Sequence, residues 1–314
     1  MTETPLDLSV IVCTYNRCRL LEGNLEALAR QITPPELSWE VVVVDNNCTD
    51  NTARVVEDAQ REFSVPLRRV IESKQGLSNA RNCGIAAAAG RYLVFTDDDT
   101  RPLPHWVEAI WQTFEQEHCD AVAGRVELDW PLARPRWLID DLLSSLAHAD
   151  YGPVMRPLSV TQEPPLGANM AFTRVVFDHV GNFNPTLGRI GKKLLGGEET
   201  DLYERVLAAG FKVLYQPRAA MRHVVEAERV DKAYFRKLYY YGGQVHGQQI
   251  DKANARQLLG IPVFGIRQLF LSGWSFIADA LRDELDQAFK QELNIWWHWG
   301  FLTGCYKANR SELR

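Results

Sequence analysis

The chain has 314 residues, 46% of them hydrophobic and 24% charged, with a formal net charge of −5. That is enough apolar material for a sizeable core in one large domain or two, and the acidic balance excludes a general nucleic-acid binder, which carries a basic face or stripe. Cysteines stand at 13, 18, 48, 83, 119 and 305 without a Cys-x-x-Cys pair, no apolar run reaches the ~18–20 residues of a membrane span, and the N-terminal residues lack a leader pattern, so a reducing cytoplasm is expected.

Leu8 to Cys13 and Trp39 to Val44 are β-rich apolar runs with no polar face, as in strands covered on both sides. Between them Leu20, Leu21, Leu25 and Leu28 recur at helical spacing. Asp50 is placed to cap a second helix running to about Arg61. Leu67 to Ile71 is a third strand, and Leu77 to Ala89 an Ala-rich helix that Gly90 ends. Arg91 to Phe95 is a fourth strand. This alternation implies a parallel sheet with right-handed crossovers.

A helix is expected from Pro104 to Glu117 and a strand from Ala121 to Leu128. Residues 130–165 are rich in Pro, with Trp130, Trp137 and Tyr151, and a segment of this length is expected to shape a binding site. Asn169 to Thr173 reads as a strand, followed by a short helix to Val180. Glycines dominate 188–197; a helix opens at Glu198 and runs to Ala209, with closing strands at Lys212 to Tyr215 and Ala219 to His223. From Val230 onward the pattern is helical, with Tyr234, Phe235, Leu238 and Tyr241 on one side. An α/β domain over 1–229 and a helical region over 230–314 follow. Within the latter, Ile295 to Trp299 with Phe301 and Leu302 suits packing against a neighbour and also a membrane interface.

Four constellations carry chemistry. The strand Arg91 to Phe95 runs into Thr96 and three consecutive carboxylates, Asp97, Asp98 and Asp99. Adjacent negative charges in a compact fold require a cation, and a hard divalent metal carrying phosphate oxygens is the candidate. Thr14, Tyr15 and Arg17 follow strand one, and Asp45 follows strand two, where open α/β sheets bind nucleotides. Gly76 permits close backbone approach, while Asn79 and Arg81 lie in the first turns of a helix, Arg81 facing a diphosphate or a carboxylate. Glu198, Glu199 and Asp201 open the late helix, and one of them is suited to act as a general base.

In this order, Val12 to Arg17, Val44-Asp45-Asn46, Gly76 to Asn82, Phe95 to Asp99, Gly167-Ala168-Asn169 and Gly197 to Leu202 resemble glycosyltransferase family 2 over residues 6–225. The resemblance implies an α/β, GT-A catalytic domain with a Rossmann-like, mostly parallel central sheet and a C-terminal helical extension. It implies an inverting, metal-dependent transferase that moves one hexose-type sugar from a nucleoside diphosphate sugar, a UDP-sugar being favoured. The acceptor would be a saccharide or lipid-linked hydroxyl, as in bacterial surface polysaccharide assembly. Thr14, Tyr15 and Asp45 would hold the nucleobase and ribose, with Asp97 near the ribose, and Arg17, Gly76, Asn79, Arg81 and Asp98 would also contact the donor. Asp99 and His223 would hold Mn²⁺ or Mg²⁺, and Gly167 and Asn169 would lie beside the sugar. Glu199 stands where the family has its catalytic Asp, which keeps Glu198 and Asp201 as rivals. The Gln-x-x-Arg-Trp motif of processive members is absent. Peripheral contact with the inner face of a membrane and a homodimer are compatible with this reading. A sugar-phosphate nucleotidyltransferase and a catalytically decayed binding module are the alternatives.

Overall fold

The structure is a computed structural model describing residues 6–130, 133–158, 163, 166–189, 191, 196–250, 257–258 and 261–312. Parts of the segments 130–165 and 188–197 singled out above therefore lie outside the described residues. The chain divides into two compact units. The first comprises residues 1–129, 147–191 and 198–224, and the second 130–146, 192–197 and 225–314.

The first unit opens with β1 (Leu6–Thr14), α1 (Cys18–Ala29), β2 (Trp39–Asp45), α2 (Thr52–Ala59), β3 (Leu67–Ile71), α3 (Leu77–Ala87) and β4 (Gly90–Asp97). The four strands pair in parallel in the order β3-β2-β1-β4. Every residue of β2 is buried, which accounts for its unbroken run of valines. Alternate residues serve opposite faces: Val10, Val12, Val41 and Val43 join one apolar cluster, and Ile11, Cys13, Val42 and Val44 the other. The first cluster takes in Leu21, Leu25 and Leu28 of α1, and the second Ala80 and Ile85 of α3.

Then come β5 (Thr100–Pro102), α4 (Trp106–Glu117), β6 (Ala121–Asp129), β7 (Arg156–Pro157), β8 (Asn169–Thr173), α5 (Arg174–Val180), α6 (Glu198–Ala208) and β9 (Val213–Val224). Sequence order gives no hint that β8 lies antiparallel between β4 and β6. The two expected closing strands are one strand. Its pairing with β6 jumps from Gly124↔Gln216 to Arg125↔Ala220, so residues 217–219 form a bulge around Pro217, which cannot donate to a ladder.

The second unit contains α7 (Lys232–Gln249), α8 (Val263–Leu281) and α9 (Leu285–Glu312). On α7 the expected apolar side contributes Phe235 to the buried set, which otherwise comprises Gly243, Gln244, Val245 and Gly247. A Cβ on Gly243 would stand 1.9 Å from Trp297 O, one on Gly247 2.2 Å from Phe301 O, and one on Gly300 2.0 Å from Tyr240 O. Backbone therefore packs on backbone between α7 and α9, a contact only glycine permits and apolar periodicity does not signal. Trp297 stacks on Phe301, whereas Trp296 and Trp299 are exposed. Among the described residues no helix is long and apolar enough to cross a membrane.

Candidate functional site

Because β1, β2 and β4 are parallel and in register, Thr14 pairs with Asp45 and Cys13 with Asp97, which sets these polar residues along one sheet edge. Tyr15, just beyond, is 38% exposed and presents a ring for stacking. Asp45 is buried; Oδ1 accepts from Cys48 N at 2.8 Å and Oδ2 pairs with Arg69 Nη1 at 2.7 Å. Arg69 is a partner the sequence reading missed, and the basic pair on β3 beside Asp45 was its signal. Asn46 was also missed. It donates to Glu72 O and Lys74 O and accepts from Gly76 N, stitching the loops after β2 and β3 together. Gly76 has φ +139°, a backbone that favours glycine at the entry to α3. Asn79 spends its amide on Gln75 O within its own turn. Asp50 accepts from Thr52 N as expected, and from Cys18 N as well, so it serves the starts of two helices.

The acidic triplet spreads over three environments. Asp98 is buried, accepts from Thr14 Oγ1 at 2.7 Å and pairs with Arg17 Nη1 at 2.8 Å. Burial pushes its carboxyl up to about 7; Arg17 and Thr14 oppose the rise, and Asp99 and Asp97 add to it. Asp99 is equally buried, and its Oδ2 lies 3.0 Å from Arg17 Nη2 and 3.2 Å from His223 Nε2. Strand pairing places that imidazole: Thr100 is the register partner of His223, and Val224 N donates to Asp99 O. Asp97 is half-buried, 3.7 Å from Arg81 Nη2. The cations that meet the triplet in this fold are thus two arginines, Arg17 after β1 and Arg81 in α3; a carboxylate is one of the two partners expected of Arg81, whereas the contacts of Arg17 with Asp98 and Asp99 were not expected.

Arg81 is the junction of the site. Only 2% exposed, it reaches Asp97 through Nη2 and Glu198 Oε1 through Nη1 at 3.0 Å. Burial works against its charge, but Glu198, Glu199 and Asp97 more than offset this and hold the guanidinium protonated. A Cβ on Gly167 would fall 2.6 Å from both Arg81 Nη2 and Glu199 Oε1, so those two groups converge on the face of a residue that has no side chain.

The two glutamates differ. Burial, then the charge of Glu199, pushes Glu198 up to about 8, with Arg81 opposing. Burial would raise Glu199 too, but Arg81, the hydrogen bond with Glu198 and Arg189 hold it below the usual carboxylate range. Oε2 of Glu198 is buried without a hydrogen-bond partner among the described residues, an environment that favours the neutral acid, so Glu198 is the one of the two that carries the proton. Asp201 is drawn off to Arg205 at 2.8 Å, which also donates to the carbonyls of Val180 and Asn182. Asn169 is 1% exposed; its Oδ1 accepts from Trp106 Nε1 and its Nδ2 donates to Arg125 O and Ala219 O. These bonds tie α4 to β6 and β9 and leave no amide group for a ligand.

A pH test follows for Glu198. Its folded value lies above the ordinary 4.5, so the associated stability is complete below that value and lost as pH rises through about 8. Glu198→Gln keeps a neutral donor toward Glu199, and thermal melts of the variant across this window should lose that part of the alkaline decline. Identical profiles for both proteins would show that Glu198 ionises normally.

Asp99 and His223 offer a carboxylate and an imidazole side by side, a donor set that suits Mn²⁺ and tolerates Mg²⁺. Among the described residues no group of three His, Cys, Asp or Glu could hold an ion unaided. Two protein ligands fit an ion whose remaining positions are filled by substrate phosphate and water.

Residues 9–140 match the sequence model of Glycosyl transferase family 2. The chain is 30% identical over 225 residues to a glucosyl-dolichyl phosphate glucuronosyltransferase of Haloferax volcanii, covering 69% of each protein. It is 27% identical over 274 residues to the succinoglycan biosynthesis protein ExoM of Rhizobium meliloti, covering 86% of this chain and 84% of that one. Among solved structures, the mannosyltransferase PcManGT from Pyrobaculum calidifontis, in complex with GDP-Man and Mn²⁺, superposes with a TM-score of 0.60 at 20% identity, covering 100% of this chain and 89% of that one. S. aureus TarS 1–349 in complex with UDP gives 0.52 at 16%, covering 97% and 92%. The fold is thus that of the GT-A glycosyltransferases. With the ordered motifs and the match to the Haloferax enzyme, it follows that the chain is a glycosyltransferase and belongs to glycosyltransferase family 2.

Proposed function

We propose that this enzyme moves a single hexose-type sugar, with inversion, from a nucleoside diphosphate sugar to a hydroxyl of a saccharide or lipid-linked acceptor in bacterial surface polysaccharide assembly. A UDP-sugar is the favoured donor. The observation that carries the reading is the Arg81 junction, where one buried guanidinium joins Asp97, at the end of β4, to the glutamates that open α6. It keeps Glu199 ionised at neutral pH and beside Gly167, so that a carboxylate without its own proton faces the sugar end of the donor. Glu199 takes the proton of the acceptor hydroxyl as its oxygen attacks the anomeric carbon opposite the leaving diphosphate. Glu198, holding a proton, fixes the orientation of Glu199, and Tyr15 stacks on the base. Asp99 and His223 would hold a divalent ion, which when bound would supply Lewis-acid neutralisation of charge on the leaving group. The nucleotide-bound and Mn²⁺-bound relatives support the donor class.

Nucleoside diphosphate sugars should be screened with Mn²⁺ for thermal stabilisation and for nucleoside diphosphate release. Stabilisation and slow hydrolysis with one base are expected, and NMR of the glycosylated product should show the inverted anomer. Silence across all donors would defeat the proposal.

Membrane contact is proposed through α8, which exposes Phe270 (75%), Trp274 (73%) and Leu281 (84%), with Arg267 its one exposed charged residue. An apolar face with a cationic member suits an anionic lipid surface. Trp274→Glu should cut co-sedimentation with anionic vesicles about tenfold or more, as expected for losing one buried aromatic. Equal binding of wild type and variant would remove α8 from the proposal.

A further inference from the structure

The cation that bridges Asp98 and Asp99 in this fold belongs to the chain itself. Arg17 places Nη1 on Asp98 Oδ1 at 2.8 Å and Nη2 on Asp99 Oδ2 at 3.0 Å. The side chain is 25% exposed, against 4% and 2% for the two acids, so it covers them from the solvent side. Two neighbouring buried carboxylates without a counter-charge would be strongly destabilising. The guanidinium's rigid fork meets that need through two acids at once, which a lysine ammonium, as a point charge, matches less well.

The oxygen it holds is shared. Asp99 Oδ2 receives Arg17 on one side and His223 Nε2 at 3.2 Å on the other. Carboxylate and imidazole are the two protein groups proposed to hold the divalent ion, and a guanidinium seated on Asp99 Oδ2 occupies the oxygen nearest His223 and repels a second cation there. Arg17 is the most solvent-exposed of the three side chains, and its two contacts use different nitrogens, Nη1 on Asp98 and Nη2 on Asp99.

We propose that Arg17 is an internal counter-cation that competes with the divalent ion for Asp99, and that on metal binding its freed guanidinium edge turns to the donor diphosphate. This rests on the reading of Asp99 and His223 as metal ligands. Arg17 is a positioning residue for the acids when the site holds no donor and a diphosphate contact when it does. The arrangement links ion and nucleotide: the ion alone must displace Arg17, and a diphosphate arriving with it rewards the displacement. Metal affinity without nucleotide is lowered by the fraction of molecules in which Arg17 covers Asp99.

The test uses the full chain and reads binding, not turnover. Free Mn²⁺ is counted by electron paramagnetic resonance in titrations of wild type, Arg17→Gln and Arg17→Lys, each with and without UDP, alongside melting temperatures in EDTA and in Mn²⁺. Without UDP, Arg17→Gln should bind Mn²⁺ roughly tenfold tighter than wild type, the factor for a competent state populated about one time in ten. It should melt below wild type in EDTA and recover in Mn²⁺. With Mn²⁺ present the order reverses, and the variant should bind UDP more weakly. Arg17→Lys keeps a positive charge that cannot fork, and supplies an intermediate Mn²⁺ affinity should the glutamine variant fail to fold. Mn²⁺ affinities equal to or weaker than wild type in the folded variants would overturn the proposal while leaving Asp99 a metal ligand. If no protein binds Mn²⁺ even with UDP, the Asp99–His223 reading falls and takes this one with it.

Discussion

Asp99→Ala should lower kcat by about 10³ or more at saturating Mn²⁺, the scale of losing a principal electrostatic contact to a developing anion. The carboxylate sits at the carboxyl end of the sheet, almost without solvent, with His223 drawn to it by the β5–β9 pairing. The variant should remain folded, because Arg17 keeps its bond to Asp98 and His223 loses only one partner. Nucleoside diphosphate release under saturating donor measures the effect, with Mn²⁺ titration as a second readout. Asp98→Asn is the informative control, since Asp98 spends both oxygens on Thr14 and Arg17. It should weaken stability and donor affinity more than turnover. Unchanged turnover in Asp99→Ala would remove the ion from the mechanism.

Glu199→Gln should reduce kcat by about 10²–10⁴ while leaving the KM for donor within a few-fold, as for removal of a general base that does not bind the nucleotide. Its neighbours make the comparison sharp. Glu198 lies against Arg81 and carries a proton near neutrality, and Asp201 is bound to Arg205. Asp201→Asn should therefore cost less than tenfold in kcat, as expected for a side chain that does not move the proton. Glu199→Asp should keep more activity than Glu199→Gln, because it retains a proton acceptor one methylene short. The comparison is made from initial rates with a saturating acceptor. Should Asp201→Asn prove the crippled variant, the base has been assigned to the wrong carboxylate.

The parallel half of the fold was legible because its elements advertise themselves locally, in the valines of β2 and the leucine spacing of α1; Gly90, expected to end α3, instead opens β4, and α3 stops at Ala87. What escaped was set by pairing between distant segments. Nothing in Asn169 to Thr173 says that it slips in antiparallel between β4 and β6, and nothing in 213–224 announces one bulged strand where two were expected. The glycines of α7 and α9 were invisible for a different reason, since an apolar period cannot register a residue without a side chain. At the site, the acids, Arg81 and His223 stood out by type and position, and the fold brings them to the same sheet edge. Asn169 shows the opposite case, a motif residue whose amide the fold consumes. Charge points to a cation beside the triplet, and a carboxylate is one of the two partners expected of Arg81, but nothing local marks Arg17 as the group that bridges Asp98 and Asp99.

The bulge at 217–219 carries a consequence for how such a site can diversify. Because side chains on a strand alternate between faces, the bulge sets the phase of everything after it. Were the loss of a single amino acid there taken up by the ladder with β6 rather than by the bulge, Val224 would take the place of His223 beside Asp99. Length variation at this kink is thus a one-step route by which a related chain can change the residue beside Asp99 without altering any acid.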